Sequence, residues 1–74
     1  MMNGVRMMKL KIQTSSGLIE SPLYENNYLN EKRLIDSLKT FVHQIKRKRV
    51  VYIEIDDWFV ALNTDKLVSI QIDK

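Results

Sequence analysis

The side chains of this chain best placed for chemistry are acids. Glu54, Asp56, Asp57 and Asp65 lie in or beside what read as turns at one end of a sheet. Closely spaced carboxylates hold Mg²⁺ or Ca²⁺, or divide acid and base roles between them. Neither use is supported here, because the spacing lacks the glycine and the terminal Glu of an Asp-rich cation loop. Asp and Asn tolerate the backbone angles of tight turns, and that accounts for these acids. His43 is the lone histidine and has no cysteine or serine motif near it. It reads as a surface residue on a helix, since catalysis and metal binding need mutually positioned groups. With no Gly-rich phosphate loop either, the sequence offers no catalytic residue, no metal site and no cofactor motif, and a non-enzymatic protein is expected.

A second constellation is basic. "KRKR", Lys46 to Arg49, follows an amphipathic segment that also carries Lys39. Clustered Lys and Arg bind phosphates, and aromatic side chains nearby stack on single-stranded bases. Lys39, Lys46, Arg47, Lys48 and Arg49 therefore define a nucleic-acid alternative. The competing explanation is a solvated helix end, where positive charge complements the negative end of the macrodipole. Glu31 and Asp36 also dilute the basic ridge.

The elements that must position these groups fit in one small domain. A chain of 74 residues has one core at most. Its 45% hydrophobic content, two Gly, one Pro and mixed charges are those of a folded chain. No cysteine is present, which excludes disulfides and thiolate metal sites and fits a reducing cytoplasm. Neither a signal-length apolar run nor a membrane-spanning one occurs, so a cytoplasmic protein without membrane association is expected. Residues 1–6 are expected to be flexible and 7–74 to form the domain.

Alternation of Met8, Leu10 and Ile12 with Lys9, Lys11 and Gln13 predicts a strand with one buried face. A turn at Ser16-Gly17 would form a hairpin in which Leu10 faces Leu23, Ile12 faces Ser21 and Thr14 faces Ile19. Pro22 cannot donate to a ladder and puts the second strand at an edge, or bulges it. A helix is predicted over 30–48, with Asn30 as N-cap and Leu29 stapled to Leu34. Leu34, Ile35, Leu38, Phe41, Val42 and Ile45 form its apolar stripe. Lys32, Asp36, Lys39, His43, Lys46 and Arg47 form the opposite ridge.

In "VVYIEIDDWFVALNTDKLVSIQID" an Asp56-Asp57 turn pairs Ile55 with Trp58, Ile53 with Val60 and Val51 with Leu62, gathering the apolar residues on one face. A three-residue loop, Thr64 to Lys66, would then match Leu62 with Val68, Val60 with Ile70 and Trp58 with Ile72. The expected fold is α+β in the order ββαβββ: one antiparallel sheet with a helix on one face. Phe41 and Trp58 are expected to meet in the core. The other face is left bare, with Tyr52, Glu54, Phe59, Ala61, Leu67, Ser69 and Gln71 from the last strands and Lys9, Lys11 and Tyr24 from the first hairpin. Tyr52, Glu54, Phe59, Ala61 and Leu67 are the candidate protein interface, because a grouped aromatic patch usually marks a contact surface. Either two copies pack these faces or edges together or a different protein docks there.

A hairpin, a helix and a strand-turn-strand ending in "ALNTDKLVSIQI" resembles the small uncharacterised proteins carried by phages and mobile elements of low-GC Gram-positive bacteria. That resemblance implies a setting in which compact non-enzymatic proteins inhibit host machinery, including anti-CRISPR-type and other anti-defence inhibitors. It transfers no functional residue.

Overall fold

The computed structural model describes residues 6–74. The expected flexible stretch lies outside them apart from Arg6, whose carbonyl accepts the Asn26 N–H at 2.8 Å. The fold is α+β. Strands β1 (Met7–Thr14), β2 (Gly17–Glu20) and β3 (Tyr24–Glu25) precede helix α1 (Tyr28–Ile45), and β4 (Val50–Ile55), β5 (Trp58–Asn63) and β6 (Leu67–Asp73) follow it. The order is ββαβββ, with β3 a two-residue return of the β2 edge onto β1.

All pairing is antiparallel, and the strands form two sheets rather than one. In the first, β1 is central: β2 and β3 pair along one side of it and β6 pairs along the other. The second is the β4–β5 hairpin alone. Met8, Leu10 and Ile12 of β1 and Val51, Ile53 and Ile55 of β4 turn toward a shared core, which Leu34 and Phe41 of α1 complete. The period-two alternation of both strands is therefore a record of burial.

Two strand pairings and the start of the helix differ from the sequence expectation. The first hairpin turns at Ser15-Ser16, so that Thr14 faces Gly17 and Ile12 faces Ile19. Gly17 takes φ +141°, a conformation closed to most side chains, and thus starts β2 instead of ending the turn. The Thr14 hydroxyl accepts from Ser16 N–H at 3.1 Å and donates to Gly17 C=O at 2.8 Å. A slip of two residues preserves the faces but puts Ser21 opposite Leu10, where its hydroxyl accepts the Leu10 N–H at 2.8 Å. Leu23 is left exposed. Pro22 interrupts this edge between β2 and β3, as its missing N–H requires.

Helix α1 starts one turn earlier than expected. Asn27, extended at φ −135°, is the N-cap, and its side-chain oxygen accepts the Asn30 N–H at 2.8 Å. Asn30 instead donates its amide to Glu25 C=O at 3.0 Å. With the cap moved, the Leu29–Leu34 staple does not form: Leu34 is buried and Leu29 is exposed. At the other end α1 stops at Ile45, which puts Lys46 to Arg49 in the connection to β4.

The largest difference is the partner of β6. The β4–β5 register is the expected one, with Asp56 in the left-handed region at φ 52°. The expected three-residue connection, Thr64–Lys66, is present as a 3₁₀ turn, but it translates the chain instead of reversing it. Thr64 N–H bonds Arg49 C=O at 2.8 Å, and Ser15 N–H bonds Lys66 C=O at 2.9 Å, which delivers β6 to β1. Leu10 then pairs with Ile72 and Ile12 with Ile70, while a bulge between Gln13 and Thr14 skips Val68 and sets Leu67 opposite Thr14. β6 thereby satisfies the second side of the central strand, and it brings Asp73 to Lys11 at 3.1 Å.

Phe41 is fully buried, whereas Trp58 only packs against the rim of the core. Phe41→Ala should cost on the order of 3–5 kcal/mol and unfold a domain of this size. Trp58→Ala should cost markedly less and stay folded. Chemical denaturation of both variants, followed by far-UV circular dichroism, reads the difference.

Candidate protein-binding face

The β4–β5 hairpin has an inner side of Val51, Ile53, Ile55, Trp58, Val60 and Leu62, so its alternate residues face outward. Of the expected interface residues, Tyr52, Glu54, Phe59 and Ala61 lie together there, all exposed. Tyr52 and Phe59 are diagonal neighbours across the strands, with ring centroids 5.7 Å apart and planes at 29°. Their exposures of 46% and 57% leave a stacked aromatic pair open to solvent.

Leu67 is not on this face. The bulge in β6 turns it toward the core and leaves Val68 outside at 65% exposure. Tyr24 is also removed from it, because the break at Pro22 sends its ring against the core. Burial raises the Tyr24 phenol above its ordinary value, Asp56 adds to the rise and Arg33 opposes it. Lys9 and Lys11 pair with Glu20 and Asp73. They and the exposed Ser69 and Gln71 lie on the other sheet. The single bare face thus resolves into two, and only the hairpin face is aromatic.

What holds the aromatic face in place is a residue the sequence reading passed over. Gln44 is 8% exposed, on the inner side of α1 beside Phe41 and Ile45. Its side-chain oxygen accepts the Tyr52 N–H at 3.2 Å, and its amide nitrogen donates to the Tyr52 C=O at 3.1 Å. The one readable signal was a polar residue at stripe spacing inside an apolar pattern. A groove of about 250 Å³ runs alongside, lined by Asp36, Ser37, Thr40, Gln44, Tyr52, Ile53 and Glu54.

Lys39, Lys46, Arg47, Lys48 and Arg49 are all exposed, and none of them enters an ion pair among the described residues. The run Lys46 to Arg49 ends where β4, the strand of Tyr52, begins. Asp56 and Asp57 form the β4–β5 turn, Asp65 lies in the 3₁₀ turn, Asp56 also binds Arg33 from α1, and Glu54 lies within β4. Among the described residues no cluster of His, Asp and Glu could hold a metal ion. His43 is exposed on the outer ridge of the helix. No described helix is long and apolar enough to cross a membrane. No protein-family model matches the chain, and no curated protein or solved structure is significantly similar to it.

Gln44→Glu tests the support. A protonated glutamic acid can both donate to and accept from Tyr52, but a carboxylate faces the Tyr52 carbonyl with no proton. The variant should therefore hold its stability at acid pH and lose about 1–3 kcal/mol as the pH rises above the ordinary glutamate value of roughly 4.3. Denaturation midpoints across pH, beside wild type, measure this.

Tyr24 supplies a second test. Its phenol is favoured neutral in the folded state, so its contribution to stability is present below the ordinary phenol value of 10.0 and is lost as the pH climbs above it. Asp56→Asn removes a cause of the rise and should bring the Tyr24 midpoint down. Ultraviolet titration in a Tyr28→Phe, Tyr52→Phe background reads that midpoint.

Proposed function

We propose that this chain is a small non-enzymatic protein-binding regulator or inhibitor, acting through the outer face of β4 and β5. The observation that carries the reading is the exposed Tyr52–Phe59 stack across β4 and β5, with the Tyr52 backbone held by Gln44. Aromatic side chains on a rigid support contribute large contact area at little entropic cost, and such residues dominate protein interfaces. Glu54 beside them supplies a polar rim and one charge for orientation. The setting implied by the sequence resemblance completes the proposal: a cytoplasmic protein of a phage or mobile element that inhibits a host or anti-phage defence protein.

The second reading is nucleic-acid binding by Lys39 and Lys46 to Arg49. It has one specific support, the exposed basic run that leads directly into the strand carrying Tyr52, on whose exposed ring pair bases could stack. Salt separates the two, since phosphate binding weakens steeply as ionic strength rises.

Tyr52→Ser combined with Phe59→Ser should leave the fold intact, at a cost of about 0.5–1.5 kcal/mol for the lost stack, and abolish capture of the partner. The measurement is affinity capture from the native host by wild type and double variant, with circular dichroism as folding control. A double variant that still captures the same protein overturns the reading. A short single-stranded oligonucleotide at low salt should not bind. Binding that weakens with salt and with Lys46→Glu, Arg47→Glu would favour nucleic acid instead.

A further inference from the structure

β5 has an uncovered side. Tyr52 directs its N–H and C=O to Gln44, away from β5, so the ladder between β4 and β5 runs through the alternate residues. It follows that the N–H and C=O groups of Phe59 and Ala61 point away from β4, and no described backbone segment pairs with them. The side chains agree. Val51, Ile53 and Ile55 on β4 are buried, while Trp58, Val60 and Leu62 opposite them are only half-buried although they point inward. The core is open along this edge.

The edge also lacks the usual guards. Exposed strand edges carry charge, proline or a bulge that blocks further pairing. The β2–β3 edge has Pro22, Glu20 and Glu25, whereas β5, "WFVALN", has no charged residue and no proline.

We infer that β5 is a self-pairing edge, and that a second copy of this chain adds its own β5 antiparallel about a two-fold axis to give a four-stranded β4-β5-β5-β4 sheet. The inner faces coincide only if inward residues oppose inward residues, which restricts the register to even steps. With Val60 on the axis, Phe59 of one copy lies beside the small Ala61 of the other, and Asp57 lies beside Asn63. Asp57 makes no ion pair among the described residues. Asn63 is flanked by Arg49, which is bonded to Thr64, with Lys48 and Lys66 close in sequence. Asp65 is nearby but outnumbered. Antiparallel pairing thus brings the acidic tip of each hairpin to the basic end of the other. Moving the register two residues, to put Ala61 on the axis, would set Asp57 against Asp65. A parallel arrangement would set acid tip against acid tip. The charge pattern is therefore self-complementary in one register.

This inference stands apart from the proposed partner face. Tyr52 lies on β4, away from the free edge, so Tyr52→Ser should leave self-association unchanged. Sedimentation velocity of the purified full chain, over a dilution series up to about 200 μM, should show a reversible monomer–dimer equilibrium in the range of weak protein pairs. Ala61→Pro removes an N–H that the β4 ladder does not use, and should give a monomer with an unchanged circular dichroism spectrum. If Ala61→Pro fails to fold, the charge swap decides. Asp57→Arg should weaken the dimer by roughly tenfold through two symmetric repulsions, and adding Arg49→Asp should restore it. A wild type that stays monomeric throughout overturns the inference. So does a dimer indifferent to Asp57→Arg, or one that the double swap does not rescue.

Discussion

The bond pair between the Gln44 side chain and the Tyr52 backbone is the contact on which the rest of the arrangement depends. β4 pairs with β5 on one side only, so its other side needs a partner wherever it meets the helix. At neutral pH a primary amide offers an uncharged donor and acceptor at the spacing of a peptide, and so can stand in for one residue of a neighbouring strand. Gln44 also lies in the last turn of the helix, where its carbonyl accepts the N–H groups of Arg47 and Lys48, both at 2.9 Å. One residue at the end of α1 therefore sets where β4 docks against the helix. The asymmetry of buried hydrogen bonds explains its weight. Making these bonds adds little over water, but leaving Tyr52 unpaired against the helix would incur the full desolvation cost.

The second constraint is the central position of β1. A strand with Leu10 and Ile12 fully buried needs ladder partners on both sides, and the first hairpin supplies only one. β6 supplies the other from the far end of the chain, so the two ends of the domain are joined in one sheet while the β4–β5 hairpin stays outside it. That is a non-local pairing whose closing entropy is recovered only once the core is in place. Ile70 and Ile72 then pack at the rim, and the Thr64–Lys66 turn bridges the gap between the sheets with two bonds from Thr64 to the Arg49 carbonyl and one from Ser15.

Face was legible in the sequence and partner was not, for a physical reason. Side-chain alternation encodes which side of a strand is buried, and it placed Met8, Leu10, Ile12, Val51, Ile53 and Ile55 correctly. It also put Tyr52, Glu54, Phe59 and Ala61 outside. It is silent on which strand lies alongside, because Val60 and Ile70 could pair with each other as well as Ile12 and Ile70 do. Local bonds of small polar residues decided the remaining differences. Asn27 and Asn30 are equally good caps in isolation, and the choice depended on Asn30 finding Glu25 C=O. Ser15-Ser16 and Ser16-Gly17 are both acceptable turns, separated by the Thr14 hydroxyl. The bulge that hid Leu67 and exposed Val68 arises where β6 adjusts to β1, so no pattern within β6 could announce it.

The aromatic face and the open edge share β5 but use different parts of it. Side chains alternate about the strand plane while hydrogen-bonding groups lie in it, so Phe59 presents its ring to one and its backbone to the other. Any strand added at the edge would extend the sheet on the side of β5 away from Tyr52. It would also cover the half-buried Trp58, Val60 and Leu62 from the side. A domain with so few fully buried side chains gains proportionally more from that cover than a large one would. The two surfaces therefore share one strand and stay separable: the rings of Tyr52 and Phe59 stand out of the sheet plane, and the free N–H and C=O groups of Phe59 and Ala61 lie in it.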